Sequence, residues 1–102
     1  MIANDGQFLG KLSLNRFDSE SISNEYGSYG SKYSVSSIFN IYSNYGSKYS
    51  SLSPYNQYTN TPPLVYLKGT KFGFLTKNKY VSFNSIDPDE LFSWMKHHNL
   101  QY

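Results

Sequence analysis

The feature that most constrains the fold is a tandem repeat with a period of 16 residues. Residues 21–34 read SISNEYGSYGSKYS and residues 37–50 read SIFNIYSNYGSKYS, so ten of fourteen positions are identical at that offset. A shortened third copy, SPYNQY, covers residues 53–58. This period matches neither a heptad nor a common helical array, and each unit is too short to hold a pair of helices.

Within each unit the residue types indicate turns rather than helix. Tyrosines at Tyr26, Tyr29 and Tyr33 have a spacing that a helix could use, but each unit also contains glycine and several serines. Glycine and serine disfavour helix interiors and favour turns. We therefore predict compact turns in which a repeated asparagine side chain binds a nearby backbone amide, at Asn24, Asn40 and Asn56.

A second pattern flanks the first, at an offset of 63 residues. Residues 2–14 and 64–77 each predict a β-hairpin, with turns at Asp5-Gly6 and Lys68-Gly69. Because a lone hairpin is only marginally stable in water, we expect the two related hairpins to pair or stack into one sheet. The matching residues are Gly6, Gly10, Leu12 and Asn15 with Gly69, Gly73, Leu75 and Asn78.

The C-terminal segment predicts a helix over about residues 88–98. Asp87 is a favourable N-cap, Pro88 suits the first helical position, and Glu90 stands where a capping box places its acid. One face of this helix is apolar and should close the core, with Trp94 contributing the largest area. The residues of that face are Leu91, Phe92, Trp94 and Met95.

The predicted fold class is α+β: a small β-rich domain of two related hairpins joined by Tyr/Ser/Gly/Asn turn repeats and closed by a C-terminal helix. A single domain spans residues 1–102, with the first hairpin in 1–20, the tyrosine-rich repeats in 21–60, the second hairpin in 61–85, and the helix and tail in 86–102. Because aromatic residues reach 19% in a chain that is only 38% hydrophobic, we expect most tyrosines to form the core, with their hydroxyl groups bound to the backbone.

The string GxLSxNRFDxxSIxNxYGxYGSKYS, which begins at Gly10, carries a resemblance to known proteins. It resembles small bacterial proteins, often exported, that are built from tandem units with the motif SxxNxYGxYGSxYS. The likeness covers about residues 6–80, and the second unit departs from it by having Ser43-Asn44 where the first has Gly27-Ser28. The resemblance implies no particular activity. It favours an extracytoplasmic or cell-surface location for the mature protein over a cytoplasmic one.

Several function classes are disfavoured by the residues themselves. The chain has no cysteine and a net charge of +2, so thiolate chemistry is excluded and a dense nucleic-acid footprint is not expected. No apolar run is long enough to span a membrane, and the N-terminus lacks the pattern of a signal peptide. We expect no cofactor and no metal site, since His97 and His98 point in different directions on the helix and the acids at Asp87, Asp89 and Glu90 fit helix capping. The chain is therefore predicted not to be an enzyme.

Tyrosine, serine, glycine and asparagine together have the composition of a binding surface, because tyrosine offers rigid amphipathic area and the small polar residues offer hydrogen bonds. The first hypothesis is a non-catalytic module that binds a protein partner, of the inhibitor or immunity type, in a bacterial or phage context. The alternative is carbohydrate or cell-wall binding through exposed tyrosines. The candidate binding residues are Tyr29, Lys32, Tyr33, Tyr45, Lys48 and Tyr49.

Overall fold

The computed structural model describes residues 1–81 and 84–100, so residues 82–83 of the second-hairpin segment and residues 101–102 of the tail lie outside it. Three strands form one mixed sheet in the order β1-β2-β3. Strands β1 and β2 are antiparallel, and β2 and β3 are parallel. A 3-10 turn and a short helix α1 follow, which confirms a small α+β domain. The element bounds are β1 Leu64–Leu67, β2 Thr70–Leu75, β3 Ser85–Ile86, the 3-10 turn Pro88–Glu90, and α1 Leu91–His97.

A coil of consecutive turns fills the chain from residue 15 to residue 59. Backbone N–H groups bond to carbonyl oxygens three residues earlier, so that one turn ends where the next begins. One step in each unit is four residues long, from Gly27 to Ser31 and from Ser43 to Ser47. Four steps of three residues and one of four make up the 16-residue period, which explains why the sequence repeats at that interval.

An asparagine at the start of one turn in each unit holds that turn with its own side chain. Asn24, Asn40 and Asn56 each accept a hydrogen bond through Oδ1 from the backbone N–H two residues later, at 3.0 Å in all three cases. Each also donates from Nδ2 to the carbonyl oxygen six residues earlier, at 3.0–3.3 Å. The asparagine therefore forms the local turn predicted from the sequence and also fastens it to the preceding part of the coil.

Each unit buries a pair of consecutive residues, one small and polar and one apolar, and the second unit also buries Asn40 and Ser43. Ser21, Ser37 and Ser53 are fully buried and occupy the same repeat position. The next position is also fully buried, and it is held by Ile22, Ile38 and Pro54. Each buried serine oxygen accepts a hydrogen bond from a backbone N–H, which offsets the cost of removing it from water.

The core of the domain is aliphatic, so the expected tyrosine core is wrong. No tyrosine is among its buried members, while six tyrosines among the described residues are at least 80% exposed. The physical reason is that the coil is closely packed inside, where the inward positions hold serine with isoleucine or proline, while its tyrosines occupy positions that are partly or fully exposed. The buried apolar residues are Met1, Ala3, Leu9, Ile22, Ile38, Val65, Leu75, Ile86, Leu91 and Met95.

The second predicted hairpin is present, with Lys68 and Gly69 at positive φ values of 52° and 81° in its turn. These angles are typical of a type I′ turn. The first hairpin is reduced to single bridges from Ile2 to Phe8 and from Ile2 to Leu64, so the sheet of two paired hairpins is not confirmed. Gly10, inside the predicted second strand of that hairpin, has a φ of +104°, which an extended strand does not have.

The C-terminal helical segment begins at Pro88 as predicted, but with a 3-10 turn that Asp87 caps by accepting a hydrogen bond from the N–H of Asp89, and α1 itself begins at Leu91. Leu91 and Met95 are fully buried, whereas Phe92 is 38% exposed and Trp94 is half-buried. Positions four residues apart share a helix face, and position 92 is turned about 100° away from position 91. The predicted apolar face is therefore narrower than expected, and Phe92 lies outside the core. Among the described residues, no helix combines the length and apolar character that a membrane span requires.

Candidate ligand-binding clefts

The coil displays aromatic side chains to solvent at a constant interval. Two rows of three rings recur every 16 residues, and every ring in them is at least 80% exposed. The backbone N–H of each of these residues is bound by the side chain that starts its turn. One row is Phe17, Tyr33 and Tyr49, and the other is Tyr26, Tyr42 and Tyr58.

Two clefts lie between these rows, and they are the same site repeated. Every residue that lines the second cleft stands 16 positions after a residue that lines the first. The first cleft encloses about 1170 Å³ and the second about 760 Å³, so each has at least the volume of a typical small-molecule site. The equivalent pairs are Ile22 with Ile38, Ser23 with Phe39, Glu25 with Ile41, Tyr26 with Tyr42, Gly30 with Gly46, Ser31 with Ser47, Lys32 with Lys48, Tyr33 with Tyr49, and Phe39 with Tyr55.

A glycine in each cleft allows the coil to close tightly beneath it. A Cβ atom at Gly30 would lie 2.0 Å from the carbonyl oxygen of Asn24. At Gly46 the corresponding distance is 2.1 Å, to the carbonyl oxygen of Asn40. Both distances are far below van der Waals contact and involve backbone atoms, so any larger residue would force the two chain segments apart. The same close approach therefore shapes both clefts.

The helix α1 completes one side of the first cleft. Phe92 stacks on Phe39 with ring centroids 5.7 Å apart and an interplanar angle of 15°. Leu14 and Lys96 also line this cleft, and neither has a counterpart in the second. The first cleft is consequently larger and has an additional apolar wall.

The second cleft is bounded by Ile41 and Tyr55. Burial raises the pKa of the Tyr55 hydroxyl above its ordinary value, with a smaller contribution from the negative charge of Asp89. This hydroxyl group is therefore neutral at physiological pH, and the wall that it forms carries no charge.

Both clefts carry a positive charge. The first contains three basic residues, Arg16, Lys32 and Lys96, and one acid, Glu25, and the second contains Lys48. The Nζ atoms of Lys32 and Lys48 lie 5.7 and 5.3 Å from the ring centroids of Tyr33 and Tyr49. Across residues 1–81 and 84–100, the ion pairs involve the side chains of Lys11 and Lys77, and none involves a cation of the clefts.

The structure divides the predicted binding residues into two groups. Lys32 and Tyr33 line the first cleft, and Lys48 and Tyr49 line the second. Tyr29 and Tyr45 line neither, and both are half-buried.

The inner tyrosines, Tyr29 and Tyr45, attach the coil to the N-terminal segment instead. The Tyr29 ring packs edge-on against Phe8, with centroids 5.0 Å apart. The Tyr45 hydroxyl donates a hydrogen bond to the Asp5 carboxylate at 2.8 Å, and this bond raises the pKa of Tyr45. Tyr29 and Tyr45 therefore stabilise the packing of the coil on the N-terminal segment. The exposed tyrosines Tyr33 and Tyr49, called the outer tyrosines below, take no part in this packing.

Tyr26 and Tyr42 also line the two clefts, although the sequence did not place them among the candidate binding residues. It also did not predict that Phe39 and Phe92 would lie in a cleft. Tyr26 and Tyr42 could have been predicted as cleft residues, because they recur at the same 16-residue offset as the cleft lysines. Phe92 could not have been found in this way, since its contact joins two segments that are distant in sequence.

No protein-family model matches this chain, and no curated protein or solved structure is significantly similar to it.

Proposed function

We propose that this protein is a non-catalytic binding module that recognises a linear polysaccharide through its two equivalent clefts. The observation that carries the proposal is the repetition of one cleft at a fixed interval along the coil. A ligand that repeats the same chemical unit can occupy both sites through the residues that the two clefts share. Linear polysaccharides have this property, whereas the surface of a globular partner rarely does.

The walls of the clefts suit sugar rings. Tyr33 and Tyr49 are each 82% exposed, and the Nζ atom of the preceding lysine lies over one face of each ring, so the opposite face is open to a ligand. The apolar C–H face of a sugar can lie on such a ring, while serine hydroxyl groups at the floor can bond with the sugar hydroxyls. Tyrosine also loses little conformational freedom when it binds.

Binding without catalysis is favoured by the acid content of the clefts. Among the described residues that line them, the first cleft has one carboxylate, Glu25, and the second has none. Hydrolysis of a glycosidic bond ordinarily uses two carboxyl groups on opposite sides of that bond. Recognition of the polymer is therefore the function that these residues can perform.

Replacing the outer tyrosines tests this proposal. We expect Tyr33→Ala or Tyr49→Ala alone to weaken polysaccharide binding about tenfold, since a tyrosine at the centre of an interface is a typical hot spot. The double variant should lose binding by about a hundredfold or more, because the advantage of two linked sites is lost as well. The melting temperature should not change, because both side chains are exposed.

The measurement is affinity electrophoresis through gels that contain soluble polysaccharides, together with sedimentation on insoluble cell wall, cellulose and chitin. Tyr80→Ala is the matched control, because Tyr80 is 97% exposed and lines neither cleft. A protein that none of these polymers retards or sediments would refute the proposal. Equal retention of the double variant and the parent would also refute it.

A protein partner remains the second candidate, and two exposed aliphatic side chains favour it. Val35 is 80% exposed and Ile41 is 66% exposed. Aliphatic groups suit the apolar centre of a protein interface better than they suit a sugar. A photo-crosslinker at position 35 that captures one stoichiometric protein, with the capture lost in Ile41→Ser, would support this candidate.

A further inference from the structure

We propose that the bound polysaccharide is acidic, and that Lys32 and Lys48 bind carboxylate groups on two units of one chain. This inference rests on the proposed function and adds the chemical class of the ligand. It depends on three features of the clefts: each lysine lies at a tyrosine ring, neither lysine has an acidic partner among the described residues, and the arrangement recurs after 16 residues.

The two lysines are placed alike beside an exposed ring. Each Nζ atom lies within 6 Å of the centroid of the next tyrosine ring, at 5.7 Å in the first cleft and 5.3 Å in the second. An ammonium group at this distance is attracted by the ring. The ring therefore favours one position of a long flexible side chain, and each cleft presents an exposed tyrosine ring with a cation over one of its faces.

Neither lysine has an acidic partner within residues 1–81 and 84–100. The chain uses other lysines for internal ion pairs, since Lys11 binds Asp18 and Glu20, and Lys77 binds Asp87 and Asp89. The two cleft lysines are thus left to interact with an external anion. Arg16 and Lys96 add further positive charge to the first cleft.

A uronic acid unit matches this arrangement. Its ring has an apolar face that can lie on the face of Tyr33 or Tyr49 that the ammonium group does not cover, and its carboxylate projects from the rim of the sugar, where the flexible lysine side chain can reach it. A charged hydrogen bond between an ammonium group and a carboxylate is stronger than a neutral one. A neutral sugar could stack on the tyrosine ring, but it would form no ionic bond with the lysine.

Repetition of the site adds avidity. Once one unit of the chain occupies the first cleft, a later unit is held close to the second cleft at a high effective concentration. Binding should therefore strengthen steeply with chain length until an oligomer is long enough to reach both clefts. A single sugar acid should bind weakly.

The test compares polymers that differ in a single property. Affinity electrophoresis is carried out with polygalacturonate, with its methyl ester, which keeps the sugar rings and loses the charge, and with poly-L-glutamate, which keeps the charge and has no sugar ring. We expect polygalacturonate to bind at least about tenfold more tightly than the ester, and the difference to shrink as salt screens the charges.

Variants of the lysines assign the effect to the clefts. We expect Lys32→Met and Lys48→Met each to weaken polygalacturonate binding about three- to tenfold, and the double variant about thirtyfold or more. Binding of the methyl ester should fall by a smaller factor than binding of polygalacturonate. Lys79→Met is the matched control, because Lys79 is exposed and lines neither cleft.

The possible outcomes separate the two proposals. Equal binding of polygalacturonate and its ester, or preferential binding of a neutral polymer, overturns the acidic ligand and leaves polysaccharide binding intact. Equal binding of poly-L-glutamate overturns it too, because charge alone would then explain recognition. A lack of binding to every polysaccharide refutes the proposed function itself. Unchanged binding in the double lysine variant overturns the assignment to Lys32 and Lys48.

Discussion

Gly46→Ala should destabilise the domain by about 3 kcal/mol, because the added Cβ would meet backbone atoms that cannot move aside. The ideal Cβ lies 2.1 Å from the carbonyl oxygen of Asn40 and 2.7 Å from that of Ile38. Overpacking of this kind typically costs 1–3 kcal/mol and sometimes more. For a domain of this size, we expect the melting temperature to fall by about 12–24 °C.

The repeat supplies both a duplicate and a control for this experiment. Gly30→Ala should have a similar effect, because its Cβ would lie 2.0 Å from the carbonyl oxygen of Asn24. Gly27→Ala should change stability by less than about 1 kcal/mol, since its nearest atom is 3.0 Å away. Thermal unfolding followed by circular dichroism measures all three. A parent-like melting curve for Gly46→Ala would contradict the close stacking of the coil.

Leu91→Ala should destabilise the domain by about 3 kcal/mol, in the range measured for large-to-small changes in protein cores. Leu91 is fully buried and packs in the same cluster as Leu9, Ile22 and Met95. Its removal leaves a cavity between the helix and the rest of the core. A loss of this size is a large share of the stability of a small domain, and urea unfolding with an unchanged slope would measure it.

The neighbouring residue provides a matched control for Leu91. Phe92→Ala removes a larger side chain, but Phe92 is 38% exposed and contacts Phe39 in the first cleft. We expect it to cost less than about 1 kcal/mol. A loss for Phe92→Ala as large as that for Leu91→Ala would mean that the helix face is wider than the structure shows.

Local structure was predictable from the sequence wherever one residue type decides it. Asparagine at Asn24, Asn40 and Asn56 predicted side-chain bonds to nearby amides, and Asp87 with Pro88 predicted the start of the helix. The Lys68-Gly69 turn was predicted from the glycine. In each of these cases the bond forms between residues that are close in sequence, so the pattern contains the information.

Burial was harder to predict, because composition does not say which residues face inward. The abundance of tyrosine suggested a tyrosine core, yet each repeat unit buries its isoleucine or proline and exposes its outer rings. The deciding fact is the succession of three- and four-residue steps in the coil, which turns a pair of positions in each unit inward and the outermost rings outward. Nothing in the residue types fixes those steps before the hydrogen bonds are known.

Only some of the residues that line the clefts could be predicted, because the sequence does not show which repeated residues are exposed. Lys32, Tyr33, Lys48 and Tyr49 stood out because they recur in the sequence. Tyr29 and Tyr45 recur equally well, but their contacts with Phe8 and Asp5 involve a segment far away in the chain. Periodicity identifies equivalent residues, and only the folded coil shows which of them reach solvent.

The most direct test of the account is a titration of the 15N-labelled protein with a galacturonate oligomer, followed by amide chemical shifts. The amide signals of equivalent positions in the two clefts should shift together, those of Gly30 with Gly46 and those of Tyr33 with Tyr49. The chemical shift of the Tyr80 amide, which lies outside both clefts, should not change. Shifts confined to one cleft, or located outside both, would contradict the claim that this coil presents one binding site twice.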